Sequence, residues 1–280
     1  MRSKVLLSVI AFLVCSTCFV SAKPIKGNGK IVTKQIPLSQ YTEIEFGKGI
    51  NHSNQSFTVL FFVPWNRSVT PVFNYTQQTG PASVEVTIDD NLFSYLDIEV
   101  SDGLLKVKTK NGQIIAPTKI TVDGHSEKLE SVKVSHGADF NIVSSLKGEK
   151  LEVHSSGGSD VNIQGPAQID VCNFRLGGGG DLKADHLHCK EIIAIASGGS
   201  DIKLKGEADK ANFQASGGSD IEAYDFIAKE VEFSASGGSD MNLHVTELLA
   251  GKASGGSDIR YYGSPRQEVS VSGGGSCKGK

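Results

Sequence analysis

The pentapeptide Ser-Gly-Gly-Ser-Asp occurs five times in this chain, at Ser156–Asp160, Ser197–Asp201, Ser216–Asp220, Ser236–Asp240 and Ser254–Asp258. Ser135–Asp139 and Gly177–Asp181 are degenerate copies, and Ser272–Ser276 closes the series. The final residues of successive copies lie 21, 21, 20, 19, 20, 18 and 18 positions apart. A repeat of that length describes stacked units, each burying its apolar face only against its neighbours. Apolar and polar residues alternate on both sides of the glycines, as in Phe213-Gln-Ala-Ser-Gly-Gly-Ser-Asp-Ile221. Period two is that of a strand. Phe213, Ala215 and Ile221 are therefore expected inside, with Gln214, Ser216 and Asp220 outside.

Coils of 18–21 residues with two or three short strands each give an all-β, single-stranded parallel β-helix. At about 4.8 Å per rung, Asp160 to Asp258 spans roughly 24 Å. Paired glycines allow a sharp bend at positive φ and a close approach of successive coils. The repeated carboxylates (Asp139, Asp160, Asp181, Asp201, Asp220, Asp240 and Asp258) are read as accepting backbone N–H bonds, each at its own corner. A Ca²⁺ ladder is the alternative, since hard cations take carboxylate oxygens. The G-G-x-G-x-D repeats of calcium-binding β-rolls are shorter and spaced differently. The expectation is therefore no metal and no cofactor.

Met1–Ala22 reads as a signal peptide: Arg2 and Lys4, an apolar run over Val5–Val14, then a small-residue end at Val20-Ser-Ala22. Cys15 and Cys18 lack the small residues that precede a lipidated cysteine, so cleavage after Ala22 is expected. No other stretch is long and apolar enough for a spanning helix. The net charge of −3 argues against nucleic acid as a partner, because a phosphate backbone requires a basic face. Three cysteines remain beyond the leader, Cys172, Cys189 and Cys277. They form no disulfide framework or metal spacing, and read as free thiols with a Cys172–Cys189 bridge left open.

Residues 23–134 lack the repeat yet read almost entirely as strand, as in Tyr41-Thr-Glu-Ile-Glu-Phe46 and Leu104-Leu-Lys-Val-Lys-Thr109. They are expected as a less regular β part that caps the coils of 135–280 in one continuous unit, with a single helical turn near Asn91–Leu96. Lys119–Val122 and Leu129–Val134 are expected to lead directly into the first coil. Ser56–Pro81 is an aromatic insertion, read as an extra strand pair over that coil. The alternative is an exposed ligand platform of Phe62, Trp65, Phe73 and Tyr75, since aromatic faces stack on sugars and anchor protein contacts.

Catalytic signatures are missing: no G-x-S-x-G, H-E-x-x-H or G-x-x-x-x-G-K-[ST] occurs. His186 and His188 form the only close histidine pair and have no third ligand of suitable phase. Repeated Asp corners suit structure better than catalysis, which needs one site and not several equal ones.

Three segments match a known pattern: Tyr41–Phe46, Val84-Glu-Val-Thr-Ile-Asp-Asp-Asn-Leu92 and Val100-Ser-Asp-Gly-Leu-Leu-Lys-Val107. So do Ala215–Ile221 and the ending Tyr261-Tyr-Gly-Ser-Pro-Arg-Gln-Glu-Val-Ser-Val-Ser-Gly-Gly-Gly-Ser276. In these the chain resembles the bacterial head GIN domain proteins, the putative auto-transporter adhesin family. The aromatic insertion is longer than that pattern, and Gly177–Asp181 loses both serines. The resemblance implies an exported β-helical protein of Bacteroidetes-type bacteria, acting in the periplasm, at the outer membrane surface or outside the cell, with no catalytic residues to transfer. The function expected is non-enzymatic binding of a carbohydrate or protein at the cell surface. A polysaccharide lyase or hydrolase on the same fold, and an envelope protein without a ligand, are the alternatives.

Overall fold

The computed structural model describes residues 23–50 and 69–280. Its strands stack as a parallel solenoid, and a single 19-stranded sheet runs through the chain from Ile31 to Gly279. The inward stripe is continuous from coil to coil. Val122, Phe73, Phe140, Val161, Leu182, Ile202, Ile221, Met241 and Ile259 follow one another in register, all buried, and Cys277 ends the column half-buried. Phe213, Ala215 and Ile221 are inside and Gln214 is outside, as alternation requires.

A second inward column mixes large and small residues: Phe174, Ala194, Phe213, Phe233 and Gly251 in register order. Small residues at Ala194 and Gly251 leave room for the rings of neighbouring coils. At Gly251 a Cβ would lie 2.7 Å from the Phe233 ring.

From Leu182 onward each coil is one long bent strand rather than two or three short ones: Leu182–Ser197, Asp201–Ser216, Asp220–Ser236 and Asp240–Ala253. The polar stretch Lys205–Asp209 does not interrupt the ladder. Gly206 makes the bend instead, at φ +133°, where a Cβ would meet the Leu187 carbonyl oxygen of the preceding coil at 1.9 Å.

The N-terminal part departs most from expectation. Glu43–Phe46 lies between two parallel partners, Leu104–Thr109 on one side and Ser131–Ser135 on the other. Val72–Gln77 lies likewise between Ile120–Ser126 and Asp139–Ile142. Coil order is therefore not chain order: residues 104–126 form the first coil, Glu43–Phe46 and Val72–Gln77 belong to the second, and 131–142 form the third. Lys119–Val122 and Leu129–Val134 are thus separated by a whole coil. The first coil is covered by antiparallel strands, Leu96–Ser101 on Leu104–Thr109, and Ser83–Asp89 with Ile31–Pro37 beyond Ile120–Ser126. This covering protects a coil end whose backbone edge would otherwise be open. The helical turn is a 3-10 turn at Phe93–Tyr95. Among the described residues no helix is long and apolar enough to cross a membrane.

Candidate functional site

The Gly-Gly turn sets which repeat residues face outward. Gly237 has φ +79°, and a Cβ there would sit 3.0 Å from the Gly217 nitrogen one coil back. The position requires glycine for backbone conformation and for proximity.

The aspartates work differently from the expected corner caps. Each carboxylate reaches along the stack and accepts the backbone N–H of the Asp in the next coil. Asp181 N–H donates to Asp160 at 3.0 Å, Asp201 to Asp181 at 3.3 Å and Asp220 to Asp201 at 3.2 Å. Asp240 donates to Asp220 at 3.0 Å and Asp258 to Asp240 at 3.3 Å, and the Ser276 hydroxyl ends the run on Asp258 at 2.6 Å. The column is thus a coil-to-coil tie, and the bonded N–H dipoles offset repulsion between stacked charges. At the start of the run burial first, and then the neighbouring Asp160, push the Asp139 carboxyl above the usual range. Among the described residues no group of three or more His, Cys, Asp or Glu is placed to hold a metal ion.

The second serine of the repeat is the residue that alternation did not single out. Ser159, Ser200, Ser219, Ser239 and Ser257 are fully buried. Ser219 Oγ accepts the N–H groups of Gly199 and Ser200 at 3.1 and 3.2 Å, and Ser159 Oγ accepts those of Gly137 and Ala138. Ser200, Ser239 and Ser257 donate to the carbonyl three residues earlier in their own turn. Its invariance across the five full copies was the available signal. Ser219→Ala strands the buried Ser200 N–H and the part-buried Gly199 N–H, and is expected to cost about 1–3 kcal/mol. Asp220→Ala loses one half-exposed acceptor and is expected to cost about 1 kcal/mol or less. Urea unfolding of the two variants should rank them in that order.

The degenerate copy Gly177–Asp181 has a local cause. A Cβ at Gly180 would lie 2.3 Å from the Ser159 carbonyl oxygen and 2.9 Å from Ser155 Oγ. Ser155, whose hydroxyl donates to Ser159 O, stands where later coils carry Ala215, Ala235 and Ala253. Gly180→Ser restores the repeat on paper, yet is expected to destabilise by about 1–3 kcal/mol through overpacking. A rise in the urea midpoint would contradict this account.

Phe73 and Tyr75 do not belong to an exposed aromatic platform. Both are fully buried core residues of Val72–Gln77, with Phe73 stacked on Phe140 at 5.1 Å and edge-on to Phe46 at 5.5 Å. Their alternation with Val72 and Asn74 is that of a coil strand. Phe62 and Trp65 lie outside the described residues. Asn74, between Phe73 and Tyr75, starts an amide ladder, accepting from Asn141, which accepts from Asn162. Cys172 is buried and Cys189 and Cys277 are half-buried, all three as free thiols. His188 Nδ1 lies 3.2 Å from Glu207 Oε1, an exposed pair.

What faces solvent is a set of polar columns in register. Glu191, Lys210 and Glu230 form one, with Lys210 Nζ 3.8 Å from Glu230. Beside it Asn212 Nδ2 donates to Glu232 Oε2 at 3.3 Å, and Gln214 Nε2 donates to Asn212 Oδ1 at 3.1 Å. Glu191, Lys210, Asn212, Glu230 and Glu232 line, with Ile193 and Leu248, a shallow groove of about 430 Å³ across four coils. Glu230 and Glu232 share one coil, and Glu191 lies two coils away.

The sequence pattern of the putative auto-transporter adhesin, head GIN domain family matches residues 72–265. No curated protein matches the chain. Among solved structures, a putative lipid binding protein of Parabacteroides distasonis is 26% identical over 92% of this chain and 100% of its own, with a TM-score of 0.81. A putative adhesin of Parabacteroides merdae is 25% identical with the same coverage and TM-score. A putative adhesin of Bacteroides fragilis, 20% identical over 91% of this chain and 100% of its own, has a TM-score of 0.61 and is similar in fold.

Proposed function

The chain belongs to the putative auto-transporter adhesin, head GIN domain family, and from that membership we propose that it is an exported, non-enzymatic module that binds a carbohydrate or protein ligand at the cell surface. The observation that carries this reading is the registered array of outward polar side chains. A ligand lying along the stack meets donors and acceptors on successive coils, so weak contacts add. The groove of Glu191, Lys210, Asn212, Glu230 and Glu232 offers planar amide and carboxylate groups suited to sugar hydroxyls or to a peptide backbone. Catalysis would need a positioned acid and base about one reacting bond, whereas these carboxylates pair with Lys210 and Asn212.

The test is a glycan array run with the purified protein, together with an assay for newly formed sugar reducing ends. Saturable retention without product is the expected result. Product whose formation disappears in Glu230→Ala or Glu232→Ala would replace the binding reading with an enzyme. Retention of a cell-surface protein but no glycan would move the ligand to the protein class.

A further inference from the structure

At the C-terminal coils the outward face changes character. Asp220–Ser236 carries three more residues at its corner than the coil that follows, because Ala223 is in register with Leu243 while Ile227 is in register with His244. That extra length lets Tyr224 lean across His244 to reach Tyr262 two coils away. The rings meet edge-on with centroids 4.9 Å apart, and the His244 ring lies 6.2 Å from that of Tyr262. Tyr262 is 40% exposed. Tyr224 Oη is shielded from solvent and has no hydrogen-bond partner among the described residues.

Cations surround these rings. Lys280 Nζ stands 4.9 Å from the Tyr224 ring centroid and 5.8 Å from that of Tyr262. Arg260 and Lys278 are in register on the adjacent outward column. Arg260 contacts Asp240 and Asp258 at 3.6 and 3.5 Å, so the two nearest carboxylates are already engaged. Lys278 and Lys280 are exposed and make no ion pair among the described residues. Lys278 and Lys280 are thus two exposed cations, unpaired among the described residues, beside the exposed aromatic face of Tyr262.

We propose that Tyr224, His244, Tyr262, Arg260, Lys278 and Lys280 form a binding site for an acidic sugar, a hexuronate or similar residue of an anionic glycan. The inference deepens the carbohydrate reading above and rests on it. The apolar C–H face of the pyranose stacks on Tyr262, and its carboxylate meets the ammonium groups of Lys280 and Lys278. The sugar hydroxyls have His244 Nε2 beside them, which has no other partner among the described residues, while Tyr224 braces the Tyr262 ring from beneath. A neutral sugar would keep the stacking and lose the charge. An anionic lipid surface would use the charge and leave Tyr262 with little part in discrimination.

Calorimetric titration of the purified protein with tri-galacturonate, galactotriose and phosphatidylglycerol vesicles tests the site. Tri-galacturonate is expected to bind saturably and to weaken with added salt. Tyr262→Ala and Lys280→Ala should each weaken it about tenfold, whereas Tyr262→Phe, which keeps the ring, should bind nearly as the parent does. Galactotriose should bind at least about tenfold more weakly than the acidic sugar. An unchanged melting temperature in Tyr262→Ala confirms that the coil is intact. Unaltered binding in that variant, equal binding of galactotriose, or binding of vesicles in place of sugar overturns the site. A glycan-array signal that survives in Tyr262→Ala removes this site and leaves the broader binding reading standing; no retained glycan of any kind removes both.

Discussion

Phe213→Ala is expected to lower the unfolding free energy by about 3–5 kcal/mol, the usual cost of deleting a fully buried phenyl ring. Phe213 is 1% exposed and sits between Ala194 of one coil and Phe233 of the next. With alanine already above it, the variant would place two small residues in succession. The coils are held at hydrogen-bonding distance by their backbone ladders and cannot close the gap, so the cavity term is kept almost whole. The loss is read as a lower urea midpoint with an unchanged dependence on denaturant. Gln214→Ala, one position along and outward, should stay within about 0.5 kcal/mol of the parent. A small effect at Phe213 would mean that the column relaxes around the deleted ring.

Asp89→Ala is expected to cost about 3–5 kcal/mol, as the loss of a buried charged acceptor leaves several donors unpaired. Asp89 is fully buried at the end of Ser83–Asp89 and ties three separate segments together. One carboxylate oxygen accepts Gly29 N–H and the Thr118 hydroxyl, both at 2.7 Å, and the other accepts Thr118 N–H at 2.8 Å. Burial alone would push this carboxyl up, but the hydrogen bonds from Thr118 and Gly29 outweigh it and hold the group below its ordinary value. A depressed carboxyl stabilises the fold above its unfolded value, near about 4. That contribution is lost as pH falls through the lower folded value. The parent should therefore lose stability on acidification below about pH 4 more steeply than Asp89→Asn, which starts less stable and has no proton to take up there. Parallel pH dependence of the two proteins would remove Asp89 from this role.

The same two residues illustrate what could be read in advance. Phe213 belongs to a repeat whose alternation placed it inside at once. Asp89 looked like an ordinary acidic residue at a strand end, because its partners lie 60 and 29 positions away. The acidic ladder was intermediate: its existence was plain from the repeat, but its hydrogen bonds run between coils and not within a corner. Only the stacking register decides which N–H lies opposite each carboxylate. Tyr224, His244, Tyr262 and Lys280 had no common motif, since they are separated by coil lengths in sequence and the three-residue excess before Ile227 brings the rings together. Phe73 and Tyr75 show the converse error, in which aromatic composition suggested a surface where the period of two already indicated a core strand.

Local pattern by itself determined the architecture: a repeat near 20 residues, a period of two and paired glycines leave a stacked β coil as the arrangement that buries the apolar positions. The tertiary structure decided the order of the coils, with 104–126 beneath Glu43–Phe46 and Val72–Gln77, because parallel pairing is chosen by the edges available and carries no mark in chain order. It also decided the chemistry of the surface. Neighbours across coils are about 20 residues apart along the chain but about 4.8 Å apart in space, so the groups that act together are set by register, which a linear reading does not contain.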